Sequence, residues 1–125
     1  MSGTVVRAIR GATTVESDDE DSIRKACGEL FPAMLESNGL DDEALISVIV
    51  TTTTDLTSMF PARAIREECG LHDVPLMGAT EAPIEGGLPM AIRIMAHVNT
   101  TMSRSEITHV FKGRAAALRP DISTS

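Results

Sequence analysis

The chain has 125 residues and a mass of 13.3 kDa, enough for one domain with its own core and too little for two. Its 11 basic and 18 acidic residues give a net charge of -7. That balance argues against nucleic acid or an anionic membrane surface as the main partner and leaves room for a small anion in a local pocket. Aromatic residues are only 2% of a chain that is 42% apolar, so the core has to be built from Val, Ile, Leu, Met and Ala.

Residues 4–10 alternate as a strand, with Val6, Ala8 and Arg10 on one face and Val5, Arg7 and Ile9 on the other. Arg10 is then last on a largely apolar face. Ser17-Asp18-Asp19-Glu20 reads as a capping box, and Ile23, Ala26, Cys27, Leu30, Phe31, Met34 and Leu35 follow at helical spacing. Pro32 removes one backbone hydrogen bond from that helix and is expected to bend it; Asn38-Gly39 supplies a left-handed stop.

The β-branched and aliphatic run at 45–51 predicts a central strand covered on both faces, leading into a loop at Thr52-Thr53-Thr54-Asp55. A second helix starts at Pro61 and ends near Gly70. Residues 74–78 predict a short strand and 81–89 a loop rich in Pro and Gly, in which Gly86-Gly87 is turn chemistry and lacks the spacing of a phosphate loop. Residues 91–98 alternate cleanly, with Ile92, Ile94, Ala96 and Val98 facing one way and Arg93, Met95 and His97 the other. From Ser103 a short polar helix or turn precedes 107–112 and 115–118, read as a closing strand and an ordered tail ending at Arg119-Pro120-Asp121. The class is α+β, a mixed sheet with helices packed on it.

Cys27 and Cys69 have neither C-x-x-C nor Cys/His metal spacing and read as buried free thiols of a reducing cytoplasm. Residues 1–7 lack the apolar run of a secretory signal and no stretch has the length of a membrane span, so a soluble cytoplasmic protein is expected. His72, His97 and His109 are too dispersed for a metal motif, and no nucleophile elbow or Cys/His pair is visible. The arginines are more informative. Arg10, Arg93 and Arg119 each adjoin an apolar strand or the tail, and Arg63 and Arg66 share a short helix. A guanidinium among apolar residues needs an anion, supplied either by one of the 18 acidic side chains or by a ligand on which several arginines converge. Glu81, between a strand and a flexible loop, is placed either to aim a carboxylate into a cleft or to stand in solvent as an ordinary loop residue.

The pieces Ile9-Arg10-Gly11-Ala12-Thr13-Thr14-Val15-Glu16, Asp55-Leu56 ahead of Phe60-Pro61-Ala62, Val74-Pro75, Glu81, Gly86-Gly87, Ile92-Arg93, His109-Val110 and Leu118-Arg119-Pro120-Asp121 span almost the whole chain. In that order and spacing they resemble the trimeric chorismate mutases of the AroH class. The resemblance implies one domain over 1–125 and a homotrimer forming a pseudo-α/β-barrel with active sites at subunit interfaces. It also implies rearrangement of chorismate to prephenate without cofactor or metal. By this likeness Arg93 donates to the ether oxygen, Arg10 holds a carboxylate and Glu81 accepts from the ring hydroxyl. Phe60, Ala62, Arg63 and Arg66, with Leu76, Met77, Gly78, Phe111 and Leu118, form the substrate wall, and Arg119 closes it from the tail. Phe111 stands where the family commonly has a tyrosine and Arg63 where a lysine can occur. Leu76-Met77-Gly78 offers only backbone polar groups.

Two other classes fit parts of the pattern: a non-catalytic trimeric module binding a small anion, favoured by Phe111, and a trimeric imine or enamine hydrolase of the RidA type. Conversion of chorismate separates all three.

Overall fold

Alternation carries the first strand, β1, further than the sequence suggests. In the computed structural model, which describes residues 3–118, it runs over Val5–Thr14 and ends well past Arg10. Ile9 and Thr13 are buried on one face, and Gly11 lies between them where the next layer comes closest. A Cβ at Gly11 would collide with the sulfur of Met34 and stand 3.0 Å from its Cγ, so any larger residue there would force the Met34 side chain to move.

That helix, α1, spans Glu20–Glu36 and continues through Pro32. Its cap is Asp19, whose carboxylate accepts the Ser22 N–H at 2.7 Å; the expected Ser17–Glu20 box does not form, because Ser17 donates its hydroxyl to Asp19 instead. Ile23, Cys27, Leu30, Phe31, Met34 and Leu35 form its buried stripe. Gly39 and Gly70, both in the left-handed region, stand just past α1 and at the end of α2, Pro61–Cys69. Arg24 joins the two helices through ion pairs to Glu67 and Glu68 and also pairs with Glu20 on its own helix. Both cysteines are free, and burial pushes their thiols up to about 12 for Cys27 and about 11 for Cys69.

The remaining strands are β2, Leu45–Thr52; β3, Leu76–Thr80; β4, Ala91–Thr100; and β5, Val110–Phe111. The sheet order is β3-β2-β4-β1-β5, with β2–β3 and β1–β5 parallel and both contacts of β4 antiparallel. The central strand is therefore β4. The run at 45–51 is an inner strand, paired by β3 on one edge and β4 on the other, but it is not covered twice: Val48 and Val50 are buried under the helices, while Ile49 is 37% exposed on the other side. The closing strand is only two residues long. It follows a 3-10 turn at Arg104–Glu106 and leads into a short helix, α3, Ala115–Leu118. Arg119, the rest of the expected tail and the side chain of Leu118 lie outside what is described.

The result is a mixed sheet with helices on one face. Register places Ile9, Ile92, Ile94, Ala96, Val98, Val48 and Val50 toward α1 and α2, and Arg10, Ala12, Ile49, Thr51, Arg93 and Met95 on the open side. Among the described residues no helix is long and apolar enough to cross a membrane.

Candidate active site

Antiparallel pairing sets Thr51 of β2 opposite Arg93 of β4, and alternation turns both side chains to the open face. Glu81 follows β3 directly. Its N–H donates to Thr52 O at 2.8 Å, which continues the β2–β3 ladder by one residue and delivers the carboxylate to the same place. There Glu81 Oε2 accepts the Thr51 hydroxyl at 2.6 Å and lies 3.4 Å from Arg93 Nε. Arg93 remains half exposed, so its guanidinium is oriented without being enclosed. Three strands thus converge on one charged pair.

Arg10 and Phe111 join Arg93 around a cleft of about 660 Å³, whose rim is the turn at Gly86-Gly87 and Leu88 and whose floor includes Ile49 and Met95. Phe111 lies beside Ala12 in the β1–β5 register and brings an apolar ring to the cleft. The Arg10 backbone N–H donates to His109 Nδ1 at 2.9 Å. Burial, and then the charge of Arg10, hold the His109 imidazole below the ordinary histidine range, favouring the neutral ring that such an acceptor requires.

A second cleft, of about 700 Å³, opens on the other side of the protomer and is lined by Phe60, Ala62, Arg63, Arg66 and Gly78 together with Thr57 and Ser58. Pro61 occupies the first turn of α2, where its missing N–H costs nothing, and leaves the Phe60 ring 80% exposed at the helix entrance. The loop ahead of it is pinned by Asp18, which accepts the Thr57 N–H at 3.1 Å, the Thr57 hydroxyl at 3.0 Å and the Ser58 N–H at 3.1 Å. Hydrogen bonds from Ser58 and Thr57 keep the Asp18 carboxyl below its usual range. Arg63 pairs with Glu67 one turn on, at 3.0 Å.

One protomer therefore gathers Arg10, Arg93, Glu81 and Phe111 in one group and Phe60, Ala62, Arg63, Arg66 and Gly78 in another. Leu76 packs against the core, and Met77, 66% exposed, stands on the open face beside Ile49; neither lines a cleft. Among the described residues no group of three or more His, Cys, Asp or Glu side chains is gathered to hold a metal ion. Sequence reasoning did not single out Thr51, whose role depends on strand pairing. It left His109 as an isolated histidine, and only the start of β5 shows what its ring accepts.

A sequence model of the chorismate mutase type I family matches residues 6–122. The chain is 47% identical over 122 residues to chorismate mutase AroH of Thermus thermophilus, covering 97% of this chain and 99% of that one. To chorismate mutase AroH of Bacillus subtilis (strain 168) it is 38% identical over 119 residues, 95% and 94% of the two chains. Among solved structures, a chorismate mutase from Clostridium thermocellum aligns with a TM-score of 0.85 and 40% identity, over 89% of this chain and 98% of that one.

Proposed function

The chain belongs to the chorismate mutase type I family, and on that premise we propose that it converts chorismate to prephenate in phenylalanine and tyrosine biosynthesis. The observation that carries the reading is the Thr51–Glu81–Arg93 group sharing the open face with Arg10. The reaction is an isomerisation in which the ether C–O bond breaks as a C–C bond forms, so no nucleophile and no proton acceptor is needed. What helps is a surface that holds the compact conformer and meets the charge growing on the ether oxygen.

Arg93 supplies the positive charge that meets it. Its Nε side is held by Glu81, which leaves the terminal nitrogens for the ether oxygen. Glu81 Oε1, on the side away from Thr51, accepts from the ring hydroxyl. Arg10 grips a carboxylate, and Phe111 packs against the substrate without adding a donor. The two clefts are the two halves of one site, completed when Phe60, Ala62, Arg63 and Arg66 of one subunit close over Arg10 and Arg93 of its neighbour in a homotrimer. The exposed apolar groups Phe60, Ile49, Met77 and Met95 support such an assembly. In it, Leu76 to Gly78 present backbone groups. The alternative of a RidA-type hydrolase is set aside by family membership.

Purified protein with no added metal is expected to consume chorismate and release prephenate. Arg93→Ala should lose about 3 kcal/mol of transition-state stabilisation or more, at least about a hundredfold in kcat, by analogy with a lost oxyanion donor. Chorismate bound but returned unchanged would restore the non-catalytic anion-binding reading. Light scattering that finds only monomer would separate the two clefts again and remove Phe60 and Arg63 from the site.

A further inference from the structure

β1 is paired with β4 along its whole length, but on its other edge it meets β5 only at Gly11 and Ala12. The Arg10 amide lies on that edge, one residue before the β5 ladder begins. A backbone donor there needs an acceptor, because a buried N–H without one loses its hydration for nothing. The acceptor is the His109 ring, at 2.9 Å from Nδ1, standing in for a strand carbonyl.

The backbone on either side of His109 is itself held. Asn38, just past α1, accepts the Thr108 N–H at 2.8 Å and donates to Thr108 O at 2.9 Å, while a second bond from the same amide reaches Met34 O at 2.7 Å. On the other side Val110 enters β5 beside Gly11. His109 is thus fixed to the end of α1 and to the sheet at once, and it transmits that placement to a single atom, the Arg10 nitrogen. Acceptance at Nδ1 puts the proton of the neutral ring on Nε2.

The geometry points to His109 as a positioning residue for substrate binding, which sets the backbone of Arg10 from which the guanidinium enters the cleft. This rests on the reading of Arg10 as the carboxylate ligand. A grip on a carboxylate acts on bound substrate and transition state alike, so its loosening raises KM and leaves kcat nearly unchanged.

Two substitutions separate positioning from packing. Asn carries an acceptor oxygen one bond beyond Cγ, where Nδ1 sits, whereas Gln carries its acceptor one bond further out. His109→Gln is expected to raise the KM for chorismate about tenfold with kcat within about threefold, the size of one lost hydrogen bond. His109→Asn should stay within about threefold of wild type in both. Amide exchange of Arg10, followed by NMR, should accelerate in the Gln variant and remain protected in the Asn variant. If both variants match wild type, or if both are impaired alike, the role assigned to His109 is wrong. Should the wild type fail to convert chorismate, the reading of Arg10 fails instead, and the Arg10 exchange rates still decide whether His109 sets its backbone.

Discussion

The two faces of the sheet are made of alternate residues of the same strands, yet they follow different rules. Toward α1 and α2, Ile9, Val48, Val50, Ile92, Ala96 and Val98 are buried almost completely, and the helices add Phe31, Leu30 and Met34. On the open face Arg93, Glu81, Arg10 and Thr51 stand among Ile49 and Met95, which remain more than a third exposed. A single-residue step in register would exchange these sets. One face therefore specifies the fold, and the other is left to hold charge where substrate can reach it.

The sharpest test of that division pairs one substitution from each face. Phe31→Ala empties a site that is 1% exposed and should cost about 3 to 5 kcal/mol in urea unfolding, while kcat per folded molecule stays near wild type. Arg93→Ala should do the reverse, abolishing turnover at an unchanged unfolding midpoint. If Phe31→Ala keeps full stability, or if the arginine variant unfolds as easily, the faces are not independent.

A smaller effect lies within the open face. Thr51→Val keeps the shape of the side chain and removes the hydroxyl that fixes Glu81 Oε2 at 2.6 Å. Loss of one hydrogen bond to a carboxylate predicts about a tenfold fall in kcat, with Thr51→Ser restoring it and stability hardly altered. Equal activity of the valine and serine variants would show that Arg93 alone orients Glu81.

Periodicity made the helix face legible. The stripe from Ile23 to Leu35 and the alternation from Ile92 to Val98 are strong local signals, and Pro61 and Gly70 marked the limits of α2. Where two local signals competed, reading was harder: Ser17 and Asp19 both suit a cap, and only the folded chain shows Asp19 in that role. The run at 45–51 suggested double burial because apolar content does not say which face another layer covers. The site was legible as a set of residue types and a family resemblance. Its geometry was not, since the meeting of Thr51 with Arg93 and of His109 with Arg10 depends on pairings between residues 42 and 99 positions apart.

Acidification separates the faces by the smallest margin and in two stages. The core between the sheet and the helices has almost nothing to titrate, so the pH dependence of stability comes from the loops, the outer surfaces of the helices and the edge of β1. His109 has its folded pKa lowered from 6.5 by burial and by Arg10, the charged group bearing on it, so below about pH 6.5 the unfolded chain takes up a proton that the folded one resists. Stability should begin to fall there. Asp18, Asp19, Glu67 and Glu106 also have lowered folded values, from 3.8 for the aspartates and 4.5 for the glutamates. Their contribution is complete above those values and is lost as the pH falls through them to the folded values. Unfolding midpoints measured from pH 7.5 down should therefore show a first decline starting near the histidine range, absent in His109→Asn, and a second in the carboxylate range, smaller in Asp18→Asn. A wild-type midpoint that stays flat between about pH 7 and pH 5 would mean that the Arg10–His109 bond tolerates a protonated ring, and the edge of β1 would then belong with the helix face.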